Sequence, residues 1–333
     1  MNNETKPKLQ ILITQFNETE DMIKPLLDSI AIQERIDFND ISVIIVNDGS
    51  KVHLTREFLC RYKYRIDYIL SEHKGVSGAR NEALDHATAD YIMWCDADDE
   101  FYITHALWLV MRDIKGGFDM LNSVFLEEVC DKDGNLVDLI KRDHDRTFVH
   151  GKVYRREYLT ENIIRWNEDL HIHEDVYFTS LAMFSTDKIK YQETFFYVWK
   201  NRRDSICRVD PKYTFNTYVN LLDSNDALLK QLIARGNEAS AQYIITFVTF
   251  DLYYSLQLPA WHEEENKQWL NETEKRFSEM WQEYRDIFWK ADAKQRNKTA
   301  NLIRDRMRQS GMNLELVSFP MWIEYIEQMA KGE

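Results

Sequence analysis

Tyr91-Ile92-Met93-Trp94-Cys95-Asp96-Ala97-Asp98-Asp99 runs from five residues of buried-strand character directly into a cluster of carboxylates. Strands buried on both faces of a parallel sheet read as such unbroken runs, and in open α/β sheets ligands bind where the strands end. Carboxylates crowded at a strand end resist joint ionisation unless a cation sits among them. Hard oxygen donors suit Mg2+ or Mn2+, which bind through one or two carboxylates together with substrate phosphates, so the implied ligand is a diphosphate. Alone, an Asp-x-Asp is more often a solvated turn, and its meaning depends on its surroundings.

Outward from that strand the chain alternates. Residues 9–13 form an apolar run that ends in Thr14-Gln15-Phe16-Asn17, and residues 41–46 form a second that ends in Asn47-Asp48-Gly49-Ser50. A third run spans 66–70. Between them lie helical patterns: Ile23, Leu26, Leu27 and Ile30 on one face, with Pro25 predicting a late start or a bend, then residues 54–62 and 77–86. Repeated β-α-β implies an α/β domain with a mostly parallel sheet flanked by helices. Asp133-Gly134 marks a hairpin turn between strands at 123–129 and 136–140. Beyond about Arg208 helical periodicity takes over, in Tyr218, Leu221, Leu228 and Leu232 and again in Leu270, Phe277, Trp281, Tyr284 and Phe288. The expectation is a catalytic domain over 1–208 and an all-α domain over 209–333 that makes acceptor, partner or homo-oligomer contacts. The second aromatic stripe lacks the basic bias of a membrane-surface helix and reads as core.

The 333 residues are 44% hydrophobic and carry a net charge of -14, so the chain can bury a large core and is repelled by polyanions over most of its surface. General nucleic-acid binding is not expected. Cys60, Cys95, Cys130 and Cys207 show no C-x-x-C spacing, which excludes a zinc ribbon or a disulfide framework and fits a reducing compartment. No stretch has the length of a transmembrane segment, and the expected location is the cytoplasm or the inner face of the membrane.

Several separated motifs together resemble the family 2 inverting glycosyltransferases of bacterial polysaccharide and wall-polymer synthesis, which have the GT-A fold. Residues 11–17 are similar to that family's opening strand, Asn47-Asp48-Gly49-Ser50 to its Asp-Asp-Gly-Ser loop, and Gly75-Val76-Ser77-Gly78-Ala79-Arg80-Asn81 to its Gly-x-x-x-Ala-Arg-Asn stretch. The resemblance implies that Phe16 packs on the base, Asp48 accepts a hydrogen bond from it, Thr14 and Asn17 line that pocket, and Arg80 lies near the diphosphate. Asp96, Asp98 and Asp99 match that family's metal-binding carboxylates for Mn2+ or Mg2+; among them Asp98 is the expected ligand, Asp99 a second ligand or a sugar contact, and Asp96 is expected to face the ribose or nucleotide. His173-Glu174-Asp175-Val176-Tyr177-Phe178 resembles the segment bearing the general base, taken as Asp175, and His150-Gly151-Lys152 a segment bordering the sugar pocket, where Lys152 meets the donor. The match covers residues 9–206. Asn47 stands where the family has Asp and His73 where Asn is common; Asn47 adds donors, so an altered base-reading pattern is expected.

An inverting transfer needs a carboxylate to take the acceptor proton and a cation to stabilise the departing nucleoside diphosphate, and the two acidic clusters supply both poles. The expected activity is metal-dependent transfer from a nucleotide-sugar donor, UDP-linked, to a hydroxyl of a glycan or cell-surface polymer. A nucleotide-sugar-binding module without catalysis, or a nucleotidyltransferase that releases pyrophosphate, are the alternatives. Arg202 could clamp the diphosphate bidentately. His171 and His173 alternate as strand-borne metal ligands would, but two imidazoles without a third ligand are more often structural.

Overall fold

The computed structural model describes residues 6–131, 133–201, 213–309 and 316–331. The chain divides into two compact units, Met1–Arg208 and Val209–Glu333.

The first unit is built on β1 (Leu9–Gln15), β2 (Ile41–Asp48), β3 (Arg65–Ser71) and β4 (Tyr91–Asp96), joined in parallel pairs. Further along lie β5 (Glu100–Phe101), β6 (Met120–Ser123), β7 (Phe125–Cys130), β8 (Leu136–Arg142), β9 (Lys152–Arg155), β10 (Ile189–Gln192) and β11 (Tyr197–Trp199). The main sheet has seven strands in the order β10-β6-β9-β4-β1-β2-β3, and β5-β11-β7-β8 form a second sheet. Leu9, Ile11 and Ile13 of β1 and Val43 and Ile45 of β2 meet Ile23, Leu26, Leu27 and Ile30 of α1 (Glu20–Ala31) in one core. Against β1 and β2 also packs α3 (Gly75–His86), which follows the short α2 (Arg56–Leu59). The later helices are α4 (Ala106–Ile114), α5 (Arg156–Glu161) and α6 (Glu174–Phe184).

Three local readings change. Helix α1 begins at Glu20 and continues through Pro25: the ring removes one backbone bond, and four buried apolar side chains hold the helix across it. The helix expected over 54–62 is limited to Arg56–Leu59. The strand expected over 123–129 is two strands, because the chain leaves the main sheet after Ser123 and enters the second sheet at Phe125. The hairpin at Gly134 forms, with β7 and β8 antiparallel and Gly134 at φ 87°.

The second unit contains α7 (Tyr218–Ala234), α8 (Glu238–Ser255), α9 (Lys267–Lys290), α10 (Ala293–Gln309) and α11 (Phe319–Lys331). The aromatic stripe of α9 is core: Phe277, Trp281, Tyr284 and Phe288 are buried, and Phe277 stacks on Trp322 of α11 at 5.5 Å between ring centroids. Among the described residues no helix is long and apolar enough to cross a membrane.

Candidate active site

The carboxyl ends of β1, β2, β3 and β4 bring Thr14, Phe16, Asn17, Asp48 and Asp96 to one edge of the sheet, with Thr14 and Asp96 in register across β1 and β4. A tight turn follows β4, closed by Asp99 N–H donating to the Asp96 carbonyl at 3.2 Å. This turn sets Asp96 and Asp99 on the same side and Asp98 between them in sequence, which decides which carboxylates converge.

Asp99 is buried. Its Oδ2 accepts from the Tyr197 hydroxyl at 2.5 Å and its Oδ1 from the Lys200 N–H at 2.8 Å, both brought by β11. Burial and the charges of Asp96 and Asp98 hold the Asp99 carboxyl well above the usual carboxylate range, and these two hydrogen bonds only partly oppose them. His150 lies opposite, its Nδ1 3.7 Å from Asp99 Oδ2. The imidazole sits among Phe148, Tyr197 and Trp199, stacked on Tyr197 with ring centroids 5.3 Å apart. Its Nδ1 is buried without a hydrogen-bond partner, and burial pushes the ring down to about 4, so it is neutral and carries a free lone pair.

Asp96, Asp99 and His150 offer three ligand atoms within 4.8 Å of one another, a mixed oxygen and nitrogen set. A buried Asp99 carboxylate crowded by Asp96 and Asp98, and an imidazole nitrogen without a hydrogen-bond partner, fit a divalent cation such as Mn2+. Asp98, which the resemblance makes a ligand, stands outside this group, and Asp96, expected at the nucleotide, stands inside it.

Arg80 is the hinge of the site. Its guanidinium donates from Nη1 to Glu174 Oε1 at 2.8 Å and from Nη2 to Asp96 Oδ1 at 3.1 Å, and it lies 4.4 Å from the centre of the Trp166 ring. Trp166 in turn stacks on Phe178 of α6 at 4.2 Å, and both pack on Trp94 of β4. The aromatic cluster therefore fixes the start of α6, which carries Glu174 and Asp175, relative to the end of β4. Asp175 accepts from the Val176 N–H at 2.9 Å. Burial and the Glu174 charge push its carboxyl well above the ordinary range, while Arg80 opposes them.

Lys152 is wholly buried in β9. Its ammonium faces Asp145 Oδ1 at 3.6 Å and the His150 carbonyl at 3.4 Å, and burial draws it below the usual lysine range. Asn47 does not read a base: it is 1% exposed and donates to Gln15 Oε1, the Val52 carbonyl and the Tyr68 hydroxyl while accepting from Ser50 N–H. An aspartate there would set lone pairs against lone pairs, which accounts for the amide. His173 occupies a left-handed conformation, φ 61°, ahead of α6, and neither it nor His171 joins the ligand group. Arg202 lies outside the described residues. His150 is a candidate ligand that the sequence alone does not mark as one.

Parallel strands whose ends gather carboxylates and an arginine, beside a smaller second sheet whose β11 contacts Asp99, have the architecture of a GT-A domain. Residues 10–122 match the Glycosyl transferase family 2 model. GlyA of Streptococcus pneumoniae, a glycosyltransferase, is 25% identical over 254 residues, 68% of this chain and 35% of GlyA. The GalNAc(5)-diNAcBac-PP-undecaprenol beta-1,3-glucosyltransferase of Campylobacter jejuni is 24% identical over 274 residues, 75% of this chain and 83% of that protein. The solved structure of residues 1–349 of Staphylococcus aureus TarS has the same fold, with a TM-score of 0.61 at 16% identity over 94% of this chain and 97% of that one. Residues 10–122 of the 333 thus resemble the family 2 glycosyltransferases, and the fold is the GT-A fold. The chain spans 35% to 64% of the length of three of its curated relatives.

Proposed function

We propose that the protein transfers a sugar from a UDP-linked donor to a hydroxyl of a glycan or cell-surface polymer, with inversion at the anomeric carbon. The observation that carries this reading is the Arg80 bridge, which ties the carboxylate pole at Asp96 to the one at Glu174-Asp175 through a single buried guanidinium. A donor diphosphate belongs at the first pole and an acceptor hydroxyl at the second. Asp175 takes the acceptor proton as the acceptor oxygen bonds to the anomeric carbon, and the carbon–oxygen bond to the diphosphate breaks with its electron pair leaving on the nucleotide. The raised proton affinity of Asp175 suits it to that task. Asp96, Asp99 and His150 would hold a divalent ion such as Mn2+ or Mg2+, which would supply positive charge where the diphosphate leaves.

Thr14, Phe16 and Asn17 border the nucleoside, and Asp98 borders the donor next to the ligand group. TarS, which shares the fold, is solved in complex with UDP-GlcNAc, and that supports a UDP-linked donor here. The helical unit is assigned to acceptor, partner or second-copy contacts, for which exposed Trp289, Met321 and Tyr325 offer apolar surface. Relatives named for polymer and undecaprenol-linked acceptors support work at the cytoplasmic face of a membrane.

The test is transfer of labelled sugar from a panel of UDP-sugars with Mn2+ present. Asp175→Asn is expected to lower turnover by about 10² to 10⁴ while donor affinity, measured by calorimetric titration, stays within about twofold. Wild-type turnover in that variant overturns the assignment of the base.

A further inference from the structure

The base side of the site departs from the expected hydrogen bond between Asp48 and the base. Asp48 is 3% exposed, and both its carboxylate oxygens are engaged by the loop that follows β3. Oδ1 accepts from the Lys74 N–H at 2.6 Å, and Oδ2 faces His73 Nδ1 at 2.9 Å. The same Nδ1 lies 3.1 Å from the Asp48 carbonyl. His73 is held there by its backbone as well: Gly49 takes φ +66°, and a Cβ on it would lie 2.6 Å from His73 N. The two loops are thus in direct contact.

His73, by contrast, is open. Its side chain is 58% exposed, and its ring stacks on Phe16 with centroids 4.7 Å apart and planes inclined by 26°. Phe16 follows β1, Asp48 ends β2 and His73 follows β3, three neighbouring strands, so this stacked pair stands at the strand ends where a nucleoside is placed. Two oxygens face Nδ1, which places a proton on that nitrogen, and the tautomer with Nδ1–H presents a lone pair at Nε2. Phe16 offers a ring face and His73 an acceptor edge beside it.

We propose that His73, oriented by Asp48 and stacked on Phe16, is the specificity residue for the nucleobase, accepting at Nε2 the ring N–H of a base that carries one. This rests on the nucleotide-donor reading above and shifts base recognition from Asp48 to the imidazole it holds. Uracil and guanine present a ring N–H on their pairing edge. Cytosine and adenine present a lone pair there, which would face the Nε2 lone pair.

Calorimetric titration of the full chain with UDP, CDP and GDP in the presence of Mn2+ tests this. The wild-type protein is expected to bind UDP at least about tenfold more tightly than CDP, the effect of one satisfied against one opposed hydrogen bond. His73→Phe keeps an aromatic ring beside Phe16 but has no acceptor, so its UDP-to-CDP ratio is expected to collapse to within about twofold of one. Phe16→Ala is expected to weaken UDP and CDP together and leave the ratio near the wild-type value. A His73→Phe protein with the wild-type ratio, or a wild-type protein without preference for UDP, overturns the role of His73 alone. Failure of all three nucleotides to bind the wild-type chain overturns the donor reading and this inference with it.

Discussion

Replacing His150 with Phe removes a titratable group from the closest-packed part of the site, and its effect is calculable. Burial holds this imidazole down to about 4 against an ordinary 6.5. The folded-state value is the lower one, so as pH falls through 6.5 the unfolded chain takes up a proton that the folded chain refuses. Stability attributable to the neutral ring is therefore complete above 6.5, falls progressively between 6.5 and 4, and changes no further below. The whole excursion is on the order of 3 kcal/mol. Asp175, whose folded-state value is raised, contributes the opposite slope in both proteins and cancels in the difference, and Asp99→Asn in both backgrounds removes the carboxylate that faces the ring at 3.7 Å. Urea unfolding of wild type and His150→Phe in EDTA, stepped from pH 7.5 to 4.5, gives that difference directly, and chelation removes any ion linkage. The gap between the two proteins is expected to change in the variant's favour by about 2 to 3 kcal/mol across the series, whatever constant offset the larger ring imposes. Parallel curves would refute a buried neutral imidazole.

Other expectations follow from the same geometry. The acid limb of kcat/KM is expected above the ordinary carboxylate range because burial and Glu174 raise Asp175, and Glu174→Gln is expected to move that limb to lower pH in a pH–rate profile. Arg80→Met leaves two carboxylates facing each other without their cation; Asp96 is partly exposed, so the loss in thermal unfolding is expected at about 2 kcal/mol, with transfer reduced by about 10² or more. Gly49→Ala combines a left-handed backbone with a contact on His73 N and is expected to cost about 1 to 3 kcal/mol in chemical unfolding and to weaken nucleotide binding. Trp281→Ala hollows the core of the helical unit and is expected to destabilise it by about 3 to 5 kcal/mol, read by loss of helical circular dichroism at lower temperature.

The early strands were legible because each is an unbroken apolar run with a polar residue at its exit. Leu9, Val43 and Met93 sit where periodicity and burial agree, and the carboxylates of 96–99 stand at the exit of β4. His150 escaped that logic for a topological reason. Strand β9 runs antiparallel between β6 and β4, so its entrance, not its exit, lies at the edge where the others end. A rule that looks past the ends of strands passes over a residue placed before one. Asn47 is buried against Gln15, Val52 and Tyr68, and no local pattern carries the two distant partners. That Asp96 and Asp99, and not Asp98, converge with His150 depends on the turn that follows β4, which composition does not encode.

The hairpin between β7 and β8 divides the site as well as the chain. Asp96 and Asp99 lie ahead of it, and His150, Lys152, Asp175 and Tyr197 lie beyond it. Strand β9, the neighbour of both β4 and β6, is supplied from the far side. A polypeptide cut at the exposed turn around Gly134 yields two fragments, neither holding a complete cation set and the first with the flanks of β4 and β6 bare. The turn is thus a natural seam for split-protein complementation, because the candidate cation ligands and the neighbours of β4 and β6 meet only when the two fragments reassociate.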